Sequence, residues 1–153
     1  MLSHVNTAGK AAMVNISNKL PSLRTAIAGG TIKVTSDIYN AVIQNTNKKG
    51  DVIATSRLAG ITGAKYTAQL IPLCHQLNLS HINVEIYENP NKKQFDITAS
   101  CSTHNTTGVE MEALTAVNIS ALTFYDMCKG ISQNMSIENI RLIKKTGGKS
   151  DIN

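Results

Sequence analysis

Residues 109 to 131, VEMEALTAVNISALTFYDMCKGI, constrain the fold more than any other stretch of this chain. They carry a helical pattern that is apolar almost all round, with Glu110, Glu112, Asp126 and Lys129 as its only charges. A helix without a polar side must be buried on most faces. The chain has 153 residues, enough for one packed core and too few for two ordinary domains, so residues 1–153 are expected to form a single domain. A domain of this size cannot easily cover such a helix on every side by itself. Part of the helix is therefore expected to lie in a subunit interface, making the protein oligomeric.

The remaining elements follow from periodicity and punctuation. The β-branched run TIKVT, from Gly30 to Thr35, predicts a strand, and Ser36 with Asp37 supplies a helix start for a segment ending near Asn47. A second helical pattern begins at Asp51 and stops before Pro72, with Gly60 and Gly63 suggesting close packing against another helix. Ile82, Val84 and Ile86 alternate with polar neighbours, as do Phe95, Ile97, Ala99 and Cys101, and Asn89, Pro90 and Asn91 between them predict a hairpin. Ile137 to Lys145 reads as the last strand. The order strand, helix, strand, strand, helix, strand is that of a ferredoxin-like α+β unit, an antiparallel sheet packed by helices.

Several function classes are disfavoured at this stage. No apolar run approaches the roughly 20 residues that cross a bilayer, so no membrane association is expected. The start MLSHVNTAGK lacks the charge and apolar run of a secretory leader, and a cytoplasmic location is expected. Cys74, Cys101 and Cys128 are odd in number, widely spaced and free of any CxxC pair, consistent with reduced thiols. The net charge of +5 suggests an anionic partner, with lysines gathered at 48 and 49, at 92 and 93, and at 144, 145 and 149. The last group surrounds Gly147 and Gly148, where exposed amides beside cations can hold phosphate. KKTGGKS lacks the spacing of a phosphate loop and has no helical pattern after it. An RNA-binding sheet would need stacking aromatics, and two Phe, four Tyr and no Trp do not supply them; no nucleic acid is expected.

Four local patterns can carry chemistry. Asp126 and Lys129 lie three apart and so within reach on one helix face. In an apolar helix the pair is expected to be at least partly buried, where desolvation lowers a lysine pKa and makes it a usable acid or base. Glu112 stands 14 residues before Asp126, ~21 Å along the axis at 1.5 Å per residue. One small ligand cannot easily touch both ends, so a site containing both is expected between subunits. Lys49, before Gly50 and Asp51, can sit beside a helix N-terminus that attracts phosphate. The run LIPLCH puts Cys74 and His75 after a proline, and with His81 they make only a loose metal set, short of four ligands.

Five strings in order, KGDVIATSRLAG at 49–60, LIPLCH at 70–75, GVEMEALTA at 108–116, YDMCK at 125–129 and GGKS at 147–150, resemble the cyclic pyranopterin monophosphate synthase family of molybdenum cofactor biosynthesis. The likeness runs from about His4 to Ser150. It implies a ferredoxin-like subunit in a homohexamer, a trimer of dimers with sites at a dimer interface. The activity it implies is that of a lyase of the phosphorus-oxygen type. Its substrate is (8S)-3′,8-cyclo-7,8-dihydroguanosine 5′-triphosphate, and its products are cyclic pyranopterin monophosphate and diphosphate. Carried over by matched motif, Asp126, Lys49 and Lys129 are catalytic. Leu73, Cys74, His75, Met111 and Glu112 bind substrate, and Arg24 and Lys145 hold the triphosphate; expulsion of diphosphate asks for cations, a role suited to Arg24, Lys49, Lys145 and Lys149. No resident cofactor or metal is implied, although Mg2+ can accompany the triphosphate.

The chain departs from the family pattern at three places. Gln76 replaces a proline after the Cys-His pair, Asn15 replaces the aspartate of an MVDVS-like segment, and Thr106 stands where a basic residue often precedes TGVEMEA. Loss of that basic residue would remove one phosphate contact. A catalytically silent scaffold with the same fold is the alternative that only an assay separates.

Overall fold

A computed structural model describes residues 8–148 and 150–152. The elements in chain order are β1 (Ser22–Lys33), α1 (Ser36–Ile43), α2 (Val52–Lys65), α3 (Thr67–Leu70), β2 (His81–Asn89), β3 (Gln94–Asn105), α4 (Glu110–Cys128) and β4 (Ser136–Thr146). They build an α+β structure on one four-stranded sheet of order β2-β3-β1-β4, antiparallel at every pairing.

Helices α2 and α4 pack on each other and on one face of the sheet. The buried apolar side chains of β1, Ala26, Ala28 and Ile32, lie on one face of the strand. Gly30 continues that face, and a Cβ there would meet Val117 Cγ1 at 2.9 Å. The missing side chain is what lets α4 lie directly on the central strand. Phe95 sits under the far end of α4, its ring 4.8 Å from Phe124 and 5.4 Å from Tyr39 of α1. Gly60 and Gly63 do the same between the helices: a Cβ on Gly63 would meet Ile119 Cγ1 at 2.7 Å, and one on Gly60 would run into Ser120 Oγ.

The hairpin expected around Pro90 forms between β2 and β3, from the His81–Ser102 pairing to Asn89–Gln94. β1 corrects the sequence reading, since it begins at Ser22 rather than Gly30. Its first half, SLRTAIAG, has little β-branched character, and pairing on both sides, with β3 and β4, overrides weak intrinsic preference. The second helical pattern breaks at Tyr66 into α2 and the short α3. Thr35, not Ser36, caps α1, its hydroxyl accepting from Ile38 N at 3.4 Å. Asp51 caps α2 by accepting from Ala54 N at 2.8 Å.

Candidate active site

The residues singled out from the sequence collect at opposite ends of α4. At its C-terminal end the loop between α1 and α2 folds back onto the helix. Asn47 Nδ2 donates to the Met127 carbonyl at 3.2 Å, and Lys49 Nζ donates to the Asp126 carbonyl at 2.8 Å. These are carbonyls of the last helical turn, where a cation is favoured by the helix dipole. Lys49 Nζ also lies 2.9 Å from Asp126 Oδ2, while Lys129 Nζ lies 2.7 Å from Asp126 Oδ1. One carboxylate is thus held between two ammonium groups.

Hydrogen bonds from Lys129 and then Lys49, reinforced by their charges, hold the Asp126 carboxyl down to about 2. The hydrogen bond to Asp126 raises the Lys129 pKa. This overturns two expectations. The Asp126 and Lys129 side chains are 56% and 51% exposed in the single chain, because they continue the stripe of Asn118 and Leu122 on the face of α4 turned from the core. Exposed to solvent and bonded to Asp126, Lys129 is held in its protonated form rather than pushed towards the neutral amine. Lys49 also sits on the C-terminal carbonyls of α4 rather than at the N-terminus of α2, where Asp51 already fills the cap.

At the N-terminal end of α4 lie two cavities. The larger, about 710 Å³, takes in Arg24 of β1, Lys145 of β4 and Lys19 and Asn18 of the N-terminal segment. The smaller, about 140 Å³, is lined by Leu73, Cys74, His75, Leu77, Met111 and Glu112. His75, Thr107, Gly108 and Glu110 line both, so they form the shared wall. Arg24 shares the helix-side face of β1 with Ala26, and Ala26 is registered with Lys145 on β4, which brings both cations past the start of α4. Arg24 Nε donates to the Asn105 carbonyl at 3.2 Å, and Lys145 Nζ lies 3.2 Å from Glu110 Oε1.

Glu110 was not singled out as a site residue. Its Oε2 is buried without a hydrogen-bond partner, and its position one residue before Met111 in the GVEMEA string was the available signal. Lys19 was also missed, since a lone lysine in an irregular segment carries no pattern. Glu112, 4% exposed, has its carboxyl pushed up to about 7, mainly by burial and further by Glu110. Burial first, then Glu112 and Glu110, raises the Cys74 thiol. Thr106 lines the larger cavity where a basic residue was expected. The GGKS string follows the end of β4, with Gly147 at φ +87° and its carbonyl accepting from Ser22 Oγ at 2.9 Å. Lys149 lies outside the described residues, as does the beginning of the likeness near His4. Among the described residues no three of His, Cys, Asp and Glu are grouped so as to hold a metal ion.

Residues 13–148 match the model of the MoaC family. The chain belongs to the MoaC family. A relative from Rhodospirillum rubrum, named cyclic pyranopterin monophosphate synthase, is 49% identical over 149 residues, covering 97% of this chain and 90% of the relative. One from Nostoc sp. with the same name is also 49% identical, covering 97% and 89%. A mitochondrial cyclic pyranopterin monophosphate synthase from Arabidopsis thaliana is 47% identical, covering 97% of this chain and 55% of the relative. In this MoaC-family chain the lysine pair around Asp126 and the cavities around His75 stand ~21 Å apart along α4.

Proposed function

We propose that the chain is a cyclic pyranopterin monophosphate synthase. It is a lyase converting (8S)-3′,8-cyclo-7,8-dihydroguanosine 5′-triphosphate to cyclic pyranopterin monophosphate and diphosphate in molybdenum cofactor biosynthesis. The observation that carries this reading is the near full-length match, at 49% identity over 97% of the chain, to proteins of that name.

Within this reading, the conversion requires repeated proton transfers beside a polyanion. Asp126, Lys49 and Lys129 supply acid and base groups at a solvent-accessible point on α4. Leu73, Cys74, His75, Met111 and Glu112 hold the ring system. Arg24 and Lys145 face the triphosphate, and together with Lys49 they stabilise the negative charge that develops as diphosphate leaves, with Lys149 a further cation for that role. Magnesium, where it takes part, arrives with the triphosphate. Both ends of α4 are needed by one substrate, yet they are a helix length apart, so the site is completed by a second subunit offering the opposite end. The exposed stripe with Leu122, 55% exposed, supports an interface there. The strand order β2-β3-β1-β4 with its two crossovers through helices suits a ferredoxin-like single domain; by likeness to the family, the subunit works as a homohexameric trimer of dimers in the cytoplasm.

The test is to give purified protein the cyclised triphosphate and follow diphosphate release together with the fluorescent oxidation product of the pterin. Both are expected. Absence of both with competent substrate would overturn the assignment and favour the silent scaffold.

A further inference from the structure

Nothing in the catalytic reading uses the N-terminal segment before β1, although it walls the larger cavity through Val14, Ile16 and Lys19. The segment has no helix or strand from Ala12 to Ser17, yet its path is defined by local bonds. Asn15 Oδ1 accepts from Ser17 N at 2.9 Å, a side-chain turn of the kind asparagine and aspartate make. Directly after it, the Ile16 carbonyl accepts from Lys19 N at 3.1 Å. Pro21 then leads into β1. The residue just ahead of the turn, Val14, places its backbone carbonyl 2.9 Å from His75 Nε2, across 61 positions of sequence.

We propose that the turn at Asn15 is a positioning device that fixes His75 in its Nε2–H form and leaves Nδ1 as the ring's acceptor at the wall between the two cavities. A backbone carbonyl can only accept, so the nitrogen facing it must carry hydrogen. In the neutral ring the other nitrogen then has a free lone pair. His75 lines both cavities, so the choice of tautomer decides whether this wall offers substrate a donor or an acceptor. Val14 does this through its backbone, which explains why no side-chain motif announces it. The departure at Asn15 becomes chemically small: a carboxamide oxygen closes the same turn that an aspartate carboxylate would. The consequence for turnover rests on the synthase reading; the tautomer itself does not.

The experiment is a long-range proton–nitrogen correlation of the histidine rings in intact, 15N-histidine-labelled protein, with His75 assigned through His75→Gln. Nε2 of His75 is expected to carry hydrogen and to exchange with water at least roughly tenfold more slowly than the rings of the exposed His81 and His104. Asn15→Asp should keep that protection and Asn15→Ala should abolish it. In the turnover assay, Asn15→Ala should lower kcat/KM about tenfold, with no further loss on top of His75→Ala, the signature of residues acting through each other. A ring protonated at Nδ1, protection unchanged in Asn15→Ala, or equal losses in both backgrounds would overturn the proposal. The first two results read independently of activity, so a failed assay of the wild-type protein does not obscure them.

Discussion

Asp126 and Glu112 lie on the same helix and are driven in opposite directions. Two ammonium groups hold Asp126 down to about 2, so the ion cluster is in place above the ordinary carboxylate range and dissolves only as pH falls from about 4 towards 2. It sets no pH dependence near neutrality. Glu112 is raised from 4.5 to about 7, so between those values the folded chain holds a proton that the unfolded chain has released. Stability contributed by this site therefore falls as pH rises through that window, by at most ~3 kcal/mol. Glu112→Gln should flatten the slope, measured by denaturant unfolding at pH 5 and pH 8 at fixed protomer concentration; an unchanged slope would show that Glu112 is not its source. Asp126→Asn and Lys129→Ala should fold and assemble normally while losing turnover. Loss of assembly by sedimentation would return the pair to a structural role. The pairing of Asp126 with Lys129 was legible from their spacing of three, but the third member was not, since Lys49 arrives from a loop 77 positions away. Exposure was misread for a related reason: composition describes a helix as a whole, while the stripe through Asn118, Leu122 and Asp126 depends on which face its neighbours leave uncovered.

The elements separate by how locally their cause is written. The β2–β3 hairpin and α4 follow from alternation, turn residues and an unbroken apolar pattern. The first half of β1 does not, because SLRTAIAG becomes a strand only through partners on both sides. The close approach of α2 to α4 was readable from Gly60 and Gly63, whose absent side chains are filled by Ser120 and Ile119. Gly63→Ala should therefore destabilise the fold by ~1–3 kcal/mol through overpacking, seen as a lower midpoint in urea. A neutral result would mean that the helices can separate at little cost. Asp51→Ala removes the cap of α2 and should cost about 1 kcal/mol. Because Asp51 follows Lys49 by two residues, that variant should also loosen the loop that delivers Lys49 to Asp126.

For the whole molecule, the sequence strings led to the family, and the 14-residue spacing of Glu112 and Asp126 within one helical pattern already put those two at opposite ends; what no sequence pattern states is which distant residues join each end. Geometry makes that division plain, with the lysines and Asp126 at one end and the His75, Glu112, Arg24 and Lys145 cavities at the other. On the proposed function each site is completed by a second subunit, and sedimentation at micromolar concentration should find no stable monomer. The most direct test mixes inactive Glu112→Ala subunits with inactive Asp126→Ala subunits after dissociation and reassembly. With each site drawing opposite helix ends from two chains, random pairing restores about a quarter of wild-type activity, because half the dimers are mixed and each mixed dimer has one intact site. Mixed assemblies that form and remain inactive would contradict the shared site.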